Sequence, residues 1–148
     1  MKLVAVSGGF DPIHVGHIRS IKGAKKLGDS LIIILTTDNQ LIKKKGYCFM
    51  SYEERKEILE SIDGVDMVVP NIDTDITSNK SLEYYRPDIF AKGGDRTEAN
   101  MPEIEKTVCA KIGCRIVYGV GGDKIQSSSS LIIRRSNGQK PEFILAEP

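Results

Sequence analysis

GGFDPIHVGH, residues 8–17, ends the apolar run KLVAV (2–6) with two glycines and then places both of the chain's histidines three residues apart. An apolar run stopped by Gly-Gly and followed by a helical pattern from about residue 14 to 27 reads as a strand, a tight turn and a helix. The glycines allow a ligand close to the backbone. The first turn of the helix then offers amides with no internal acceptor, at the positive end of the helix dipole, and so favours an anion. At 3.6 residues per turn, His14 and His17 lie about 60° apart on one face of that helix. Both face the place where the anion belongs.

The same alternation continues along the chain. LIIILTT (31–37), VDMVV (65–69), DIFA (88–91) and CRIVYG (114–119) are short, rich in Val and Ile and mostly unalternated, as strands covered on both faces are. Between them the spacing predicts helices. The first, 14–27, turns Ile18, Ile21 and Leu27 inward and stops at Gly28. The next starts at the capping box Ser51–Glu54 and buries Ile58, Leu59 and Ile62. A weaker one lies near 82–85. Another enters through Asn100 and Pro102, buries Ile104, Val108 and Ile112, and closes at Gly113. A last helix begins in the serine run at 127–130. Strands alternating with helices imply parallel crossovers. The expected architecture is a three-layer, Rossmann-like α/β domain over 1–135, with a five-stranded parallel sheet in the order 3-2-1-4-5, and a tail at 136–148. Ligands of such sheets bind beyond the carboxyl ends of the strands, at the switch point, which is where GGFDPIHVGH falls.

Bulk composition narrows the function classes. The 148 residues suit one domain, and 21 Lys plus Arg against 20 Asp plus Glu leave a net charge of +1. No global field draws such a protein to nucleic acid or an anionic membrane, so an anion site has to be local. With no charged leader and no apolar stretch near the ~18 residues of a membrane span, a cytoplasmic protein is expected. Cys48, Cys109 and Cys114 are odd in number and form no CxxC, which argues against a disulfide framework and a zinc ribbon. His-x-x-His with scattered cysteines fits no usual zinc spacing either, and no metal held by protein ligands is expected.

FDPIHVGHI resembles the His-x-Gly-His signature of the nucleotidyltransferase superfamily, and the rest of the chain resembles its cytidylyltransferase branch. The likeness to sequences of the glycerol-3-phosphate cytidylyltransferase type runs from Phe10-Asp11 through AKKLGD, TTD and SYEERKEIL to VDMVVP. FAKGGD at 90–95 is similar to the nucleotidyltransferase half of the heptose-phosphate enzymes. The resemblance implies transfer of a cytidylyl group from CTP to a small phosphorylated alcohol or sugar, with release of pyrophosphate. It implies that His14 and His17 donate hydrogen bonds to triphosphate oxygens, which neutral imidazoles do at pH 7. Gly8, Gly9, Phe10 and Gly16 line the nucleotide. Asp11 anchors the turn or orients a hydroxyl or a metal-bound water.

The same resemblance assigns further residues. The family carries essential lysines after its second strand, on a mobile loop; Lys44 matches one position, and Lys45 stands in for a second that falls on Gly46. In QSSSSLIIRR, Ser128, Ser129 and Ser130 with Ile132 fit the family's phosphate-binding serine pattern, and serines 127–129 with Leu131 fit nearly as well. Lys124 takes the place of an arginine found before this segment in some relatives. Arg55 and Asp95 complete the nucleotide-binding set. Mg²⁺ is implied as a companion of the triphosphate, and a homodimer as the assembly, with YCFM (47–50) and the tail as candidate interface. An adenylyltransferase using ATP and a nucleotide-binding protein without turnover are the alternatives. The loops near 70–81 and 95–101, which face the acceptor, single out no one phosphate.

Overall fold

A computed structural model describes residues 1–75, 77–94 and 96–122. Its elements are β1 (Leu3–Gly8), α1 (Val15–Lys25), β2 (Ser30–Leu35), α2 (Asp38–Lys45), α3 (Tyr52–Glu60), β3 (Met67–Pro70), α4 (Asn79–Tyr85), β4 (Ile89–Gly93), α5 (Glu103–Ile112) and β5 (Arg115–Val120). All pairings are parallel, and the strand order is β3-β2-β1-β4-β5, as expected from the sequence. The last helix, placed in the serine run, lies outside the described residues, as does the tail.

The two faces of the sheet bury separate clusters because side chains alternate along each strand. Val4 and Val6, Leu31, Ile33 and Leu35, and Ile89 and Ala91 pack with Ile21 and Ala24 of α1 and Leu59 of α3. Ala5, Ile32, Ile34 and Phe90 pack on the other side with Leu82 of α4 and Val108 and Cys109 of α5. The central strands therefore carry apolar residues on both faces, which is why they read as unbroken apolar runs.

β1 pairs with β2 along its whole length, Leu3–Ser30 to Gly8–Leu35. Its register with β4 covers Val4–Ile89 and Ala5–Phe90, although the two strands continue to Gly8 and Gly93. They part toward their carboxyl ends, where the chain order reverses, and a crevice opens there.

Three expectations are corrected. Gly28 is no helix stop: α1 ends at Lys25 with Lys26 as a right-handed cap. A Cβ on Gly28 would lie 2.7 Å from Val4 Cγ2 and 2.8 Å from the Lys2 carbonyl oxygen, so glycine is needed for the approach of this turn to β1. The buried stripe of α5 is shifted by one residue. Ile104 is 45% exposed, whereas Glu105, Val108 and Cys109 are buried. Glu105 holds the inner position because its carboxylate accepts the Ser78 N–H at the start of α4. Finally, the lysine run is not a loop. Lys43, Lys44 and Lys45 form the last turn of α2, opened by a Thr37–Gln40 capping box and closed by Gly46 at φ 84°. Basic side chains there complement the negative end of the helix dipole.

Candidate functional site

The first strand-to-helix turn is built by its own side chains. Phe10 adopts φ 50°, a left-handed conformation that costs a non-glycine residue about 1 kcal/mol, and its buried ring holds it there. His14 is the N-cap of α1. Its Nδ1 accepts the Gly16 N–H at 3.1 Å, while Nδ1 of His17 accepts the His14 N–H at 3.1 Å. Two imidazoles thus occupy the places that Ser/Thr and Glu/Gln take in a capping box. A neutral imidazole whose Nδ1 accepts a hydrogen bond carries its proton on Nε2. The rings stack with centroids 3.9 Å apart, and His17 packs 4.8 Å from the Phe10 ring. Capping therefore sets the tautomer of both rings and turns both into Nε2 donors.

His17 and Phe10 line the crevice between the parted strands, a cavity of about 150 Å³ bounded by Ser7 and Gly8 on one side and Ala91 and Gly93 on the other. Its floor is tied to the end of β5. Ser20 donates to the Val120 carbonyl at 3.2 Å, and a Cβ on Gly121 would strike the Ser20 backbone at 2.7 Å. The chain thus leaves the described region against α1, one turn beyond His17. Lys124, Ser128, Ser129 and Ser130 lie outside the described residues, and so does Asp95.

Beneath the turn is a second web. Asp11 is buried, and its carboxylate accepts the Phe49 and Met50 N–H groups at 2.7 and 2.6 Å. Of the two roles foreseen for Asp11, anchoring is the one these bonds make. Arg55, with no exposed side-chain surface, donates to the carbonyls of Met50 (2.9 Å), Gly9 (2.8 Å) and Thr36 (2.7 Å) and to Asp38 Oδ1 (2.7 Å). All four acceptors are protein groups, so in this structure the guanidinium positions the backbone of the turn. Burial pulls the Asp38 carboxyl upward, but hydrogen bonds from Arg55 and Cys48 outweigh it and hold the group below its ordinary range. Asp38 was missed in the sequence. The signal was the Thr37–Gln40 capping box that starts α2 there.

The two lysines differ. Lys45 donates to the Asp11 carbonyl at 3.0 Å, lies 3.7 Å from Asp11 Oδ2 and covers the Tyr47 ring at 4.8 Å. Lys44 is exposed. Lys44→Ala is expected to lower turnover about tenfold more than Lys45→Ala, because the Lys44 ammonium is the one not already engaged with the turn. Steady-state rates of the two variants decide this, and equal losses would show that either amine serves.

Among the described residues no three His, Cys, Asp or Glu side chains gather as metal ligands. No helix among them is long and apolar enough to cross a membrane. Of the YCFM stretch, Tyr47, Cys48 and Met50 are half-buried within the chain and Phe49 is 62% exposed.

A family model described as cytidylyltransferase-like matches residues 5–135. The chain is 38% identical over 95 residues to glycerol-3-phosphate cytidylyltransferase of Bacillus subtilis (strain 168), covering 64% of this chain and 73% of that one. It is 38% identical over 96 residues to FAD synthase of Ferroglobus placidus, covering 65% of this chain and 61% of that one. Among solved structures, a lipopolysaccharide core biosynthesis protein from Thermoplasma volcanium GSS1 matches with a TM-score of 0.66 at 26% identity, over 80% of this chain and 94% of that one.

Proposed function

Because the chain belongs to the cytidylyltransferase-like family and is a nucleotidyltransferase, we propose that it transfers a cytidylyl group from CTP to a small phosphorylated alcohol or sugar. The observation that carries this reading is the pair of stacked, Nδ1-capped histidines beside the crevice at the switch point. An oxygen of the acceptor phosphate attacks the α-phosphorus. The bond from that phosphorus to the bridging oxygen breaks, and pyrophosphate leaves with the electron pair. No covalent enzyme intermediate is required.

The protein's task is to align two anions and to meet the charge that grows on the phosphoryl oxygens. Nε2–H groups held by capping bonds suit this, since their direction is set before the substrate arrives. Lys44 adds a cation from the end of α2, and Arg55 fixes the Gly9 carbonyl and the 46–50 segment around the turn. Mg²⁺ is proposed to arrive with the triphosphate, where it would neutralise charge on the leaving pyrophosphate. Both Asp11 oxygens are engaged by backbone N–H groups, so Asp11 does not fit as its ligand.

FAD contains adenine, and the likeness to an FAD synthase keeps adenylyl transfer from ATP as the second reading. A matrix of the four nucleoside triphosphates against phosphorylated polyols, sugars and aminoalcohols, with Mg²⁺ and pyrophosphate release as readout, separates the two. Turnover with CTP is expected. Turnover with ATP alone would replace the first reading by the second, and binding without turnover would make the protein a silent nucleotide binder. The acting species is proposed to be a homodimer with Phe49 in its interface, and a mass near 16.3 kDa by light scattering would refute that assembly.

A further inference from the structure

Helices of a parallel α/β sheet run opposite to its strands, so their amino ends gather at the carboxyl edge, where ligands bind. On the α1 face that edge carries His14, His17 and the crevice. On the opposite face, covered by α4 and α5, the same edge carries two ionic groups for which nucleotide binding supplies no use. Lys92, next to last in β4, alternates with crevice-lining Gly93 and so points to the α4/α5 face, its ammonium 4.5 Å over the Phe90 ring. No hydrogen bond or ion pair to Lys92 is made among the described residues. Glu105 is 4% exposed, in the first turn of α5. Its Oε2 accepts the Ser78 N–H at 2.7 Å, whereas Oε1 is buried with no hydrogen-bond partner among the described residues.

The two groups share one neighbourhood without closing on each other, for no ion pair of 4.0 Å or less joins them. Burial pushes the Lys92 ammonium down from the ordinary lysine range. The Glu105 charge opposes that shift, and Arg96 and Lys44 add to it. A buried carboxylate oxygen without a donor and a half-buried ammonium without an acceptor each bear a desolvation cost, the larger at Glu105, that a suitable ligand relieves. One oxygen needs a donated proton and the ammonium needs a lone pair. Hydroxyl groups supply both.

We propose that Lys92 and Glu105 form an acceptor subsite that binds the hydroxyl-bearing body of a polyol or sugar phosphate. One hydroxyl donates to Glu105 Oε1 and a neighbouring oxygen accepts from Lys92 Nζ. The phosphate of the same molecule reaches over the end of β4 to the α-phosphorus held on the histidine side. An aminoalcohol phosphate is disfavoured by the balance of charge, because its cation meets Lys92, Arg96 and Lys44 against the single Glu105 carboxylate. The proposal rests on the nucleotidyl-transfer reading above and specifies which acceptors that reaction takes.

The test compares wild type with Glu105→Gln and Lys92→Met, using the nucleoside triphosphate that the matrix selects. The acceptors are glycerol 3-phosphate, glucose 1-phosphate, phosphoethanolamine and propyl phosphate. Glu105→Gln keeps an oxygen for the Ser78 N–H but replaces Oε1 by a donor. Lys92→Met leaves that bond untouched and carries the test if the first variant fails to fold. Both variants are expected to raise KM for the preferred hydroxylated acceptor about tenfold or more, with KM for the triphosphate within about twofold and propyl phosphate unaffected. An unchanged acceptor KM in folded variants, or a wild-type preference for phosphoethanolamine, would overturn the subsite while leaving nucleotidyl transfer intact. Wild type that releases pyrophosphate with none of the four overturns both.

Discussion

His14→Ala and His17→Ala are each expected to lower turnover about 10²-fold or more, the loss typical of a preorganised donor to transition-state charge. The structure adds that each imidazole also caps α1, so alanine removes a cap bond worth about 1 kcal/mol at the same time. Catalytic and structural losses are separable because the capping positions accept other residues. His14→Asn keeps a side-chain acceptor at the N-cap, and His17→Gln keeps one at the third helical position. These two variants are expected to regain the stability lost in the alanine variants, read from urea unfolding, yet to stay as slow in pyrophosphate release. Near wild-type rates in both alanine variants would reduce the histidines to helix caps and remove the proposed mechanism.

Arg55→Met is expected to cost about 3 kcal/mol or more of stability, because three backbone carbonyls lose a charged donor at about 1–3 kcal/mol each. The deletion leaves the carbonyls of Gly9, Thr36 and Met50 without their Arg55 donor, in a region too enclosed for the group to be replaced cheaply. Arg55→Lys recovers only part, since one ammonium cannot reach four acceptors spread around a planar guanidinium. The partner Asp38 has its folded pKa held below the unfolded value of 3.8, so its contribution is complete at neutral pH and is lost as the pH falls through the lower folded value. Its side chain is 43% exposed, and solvent screening keeps that share small beside the hydrogen bonds of the arginine. Urea unfolding at pH 7 and in acid reads both effects. A loss under about 1 kcal/mol for Arg55→Met would mean that water takes over the exposed carbonyls.

The strands and the location of the ligand edge were legible because each rests on a local pattern: apolar runs between amphipathic ones, and Gly-Gly followed by two histidines one turn apart. The turn that orients His14 and His17 closes on itself within four residues, so its chemistry is written in contiguous sequence. α2 was harder to see. It is short and buries only Leu41, and a run of three lysines reads as a solvated loop until the capping box at one end and Gly46 at the other are weighed together.

Contiguous residues therefore specified the sheet, the crevice at its switch point and the paired histidines. Folding assigned the roles of Asp11, Arg55, Lys45 and Glu105, which in the sequence are indistinguishable from a turn residue and ordinary helix charges. Arg55 meets Gly9 across 46 positions of chain, and Asp11 meets Phe49 across 38. A charged side chain becomes a buried clamp only when distant backbone groups converge on it, and no periodicity in the chain encodes that convergence.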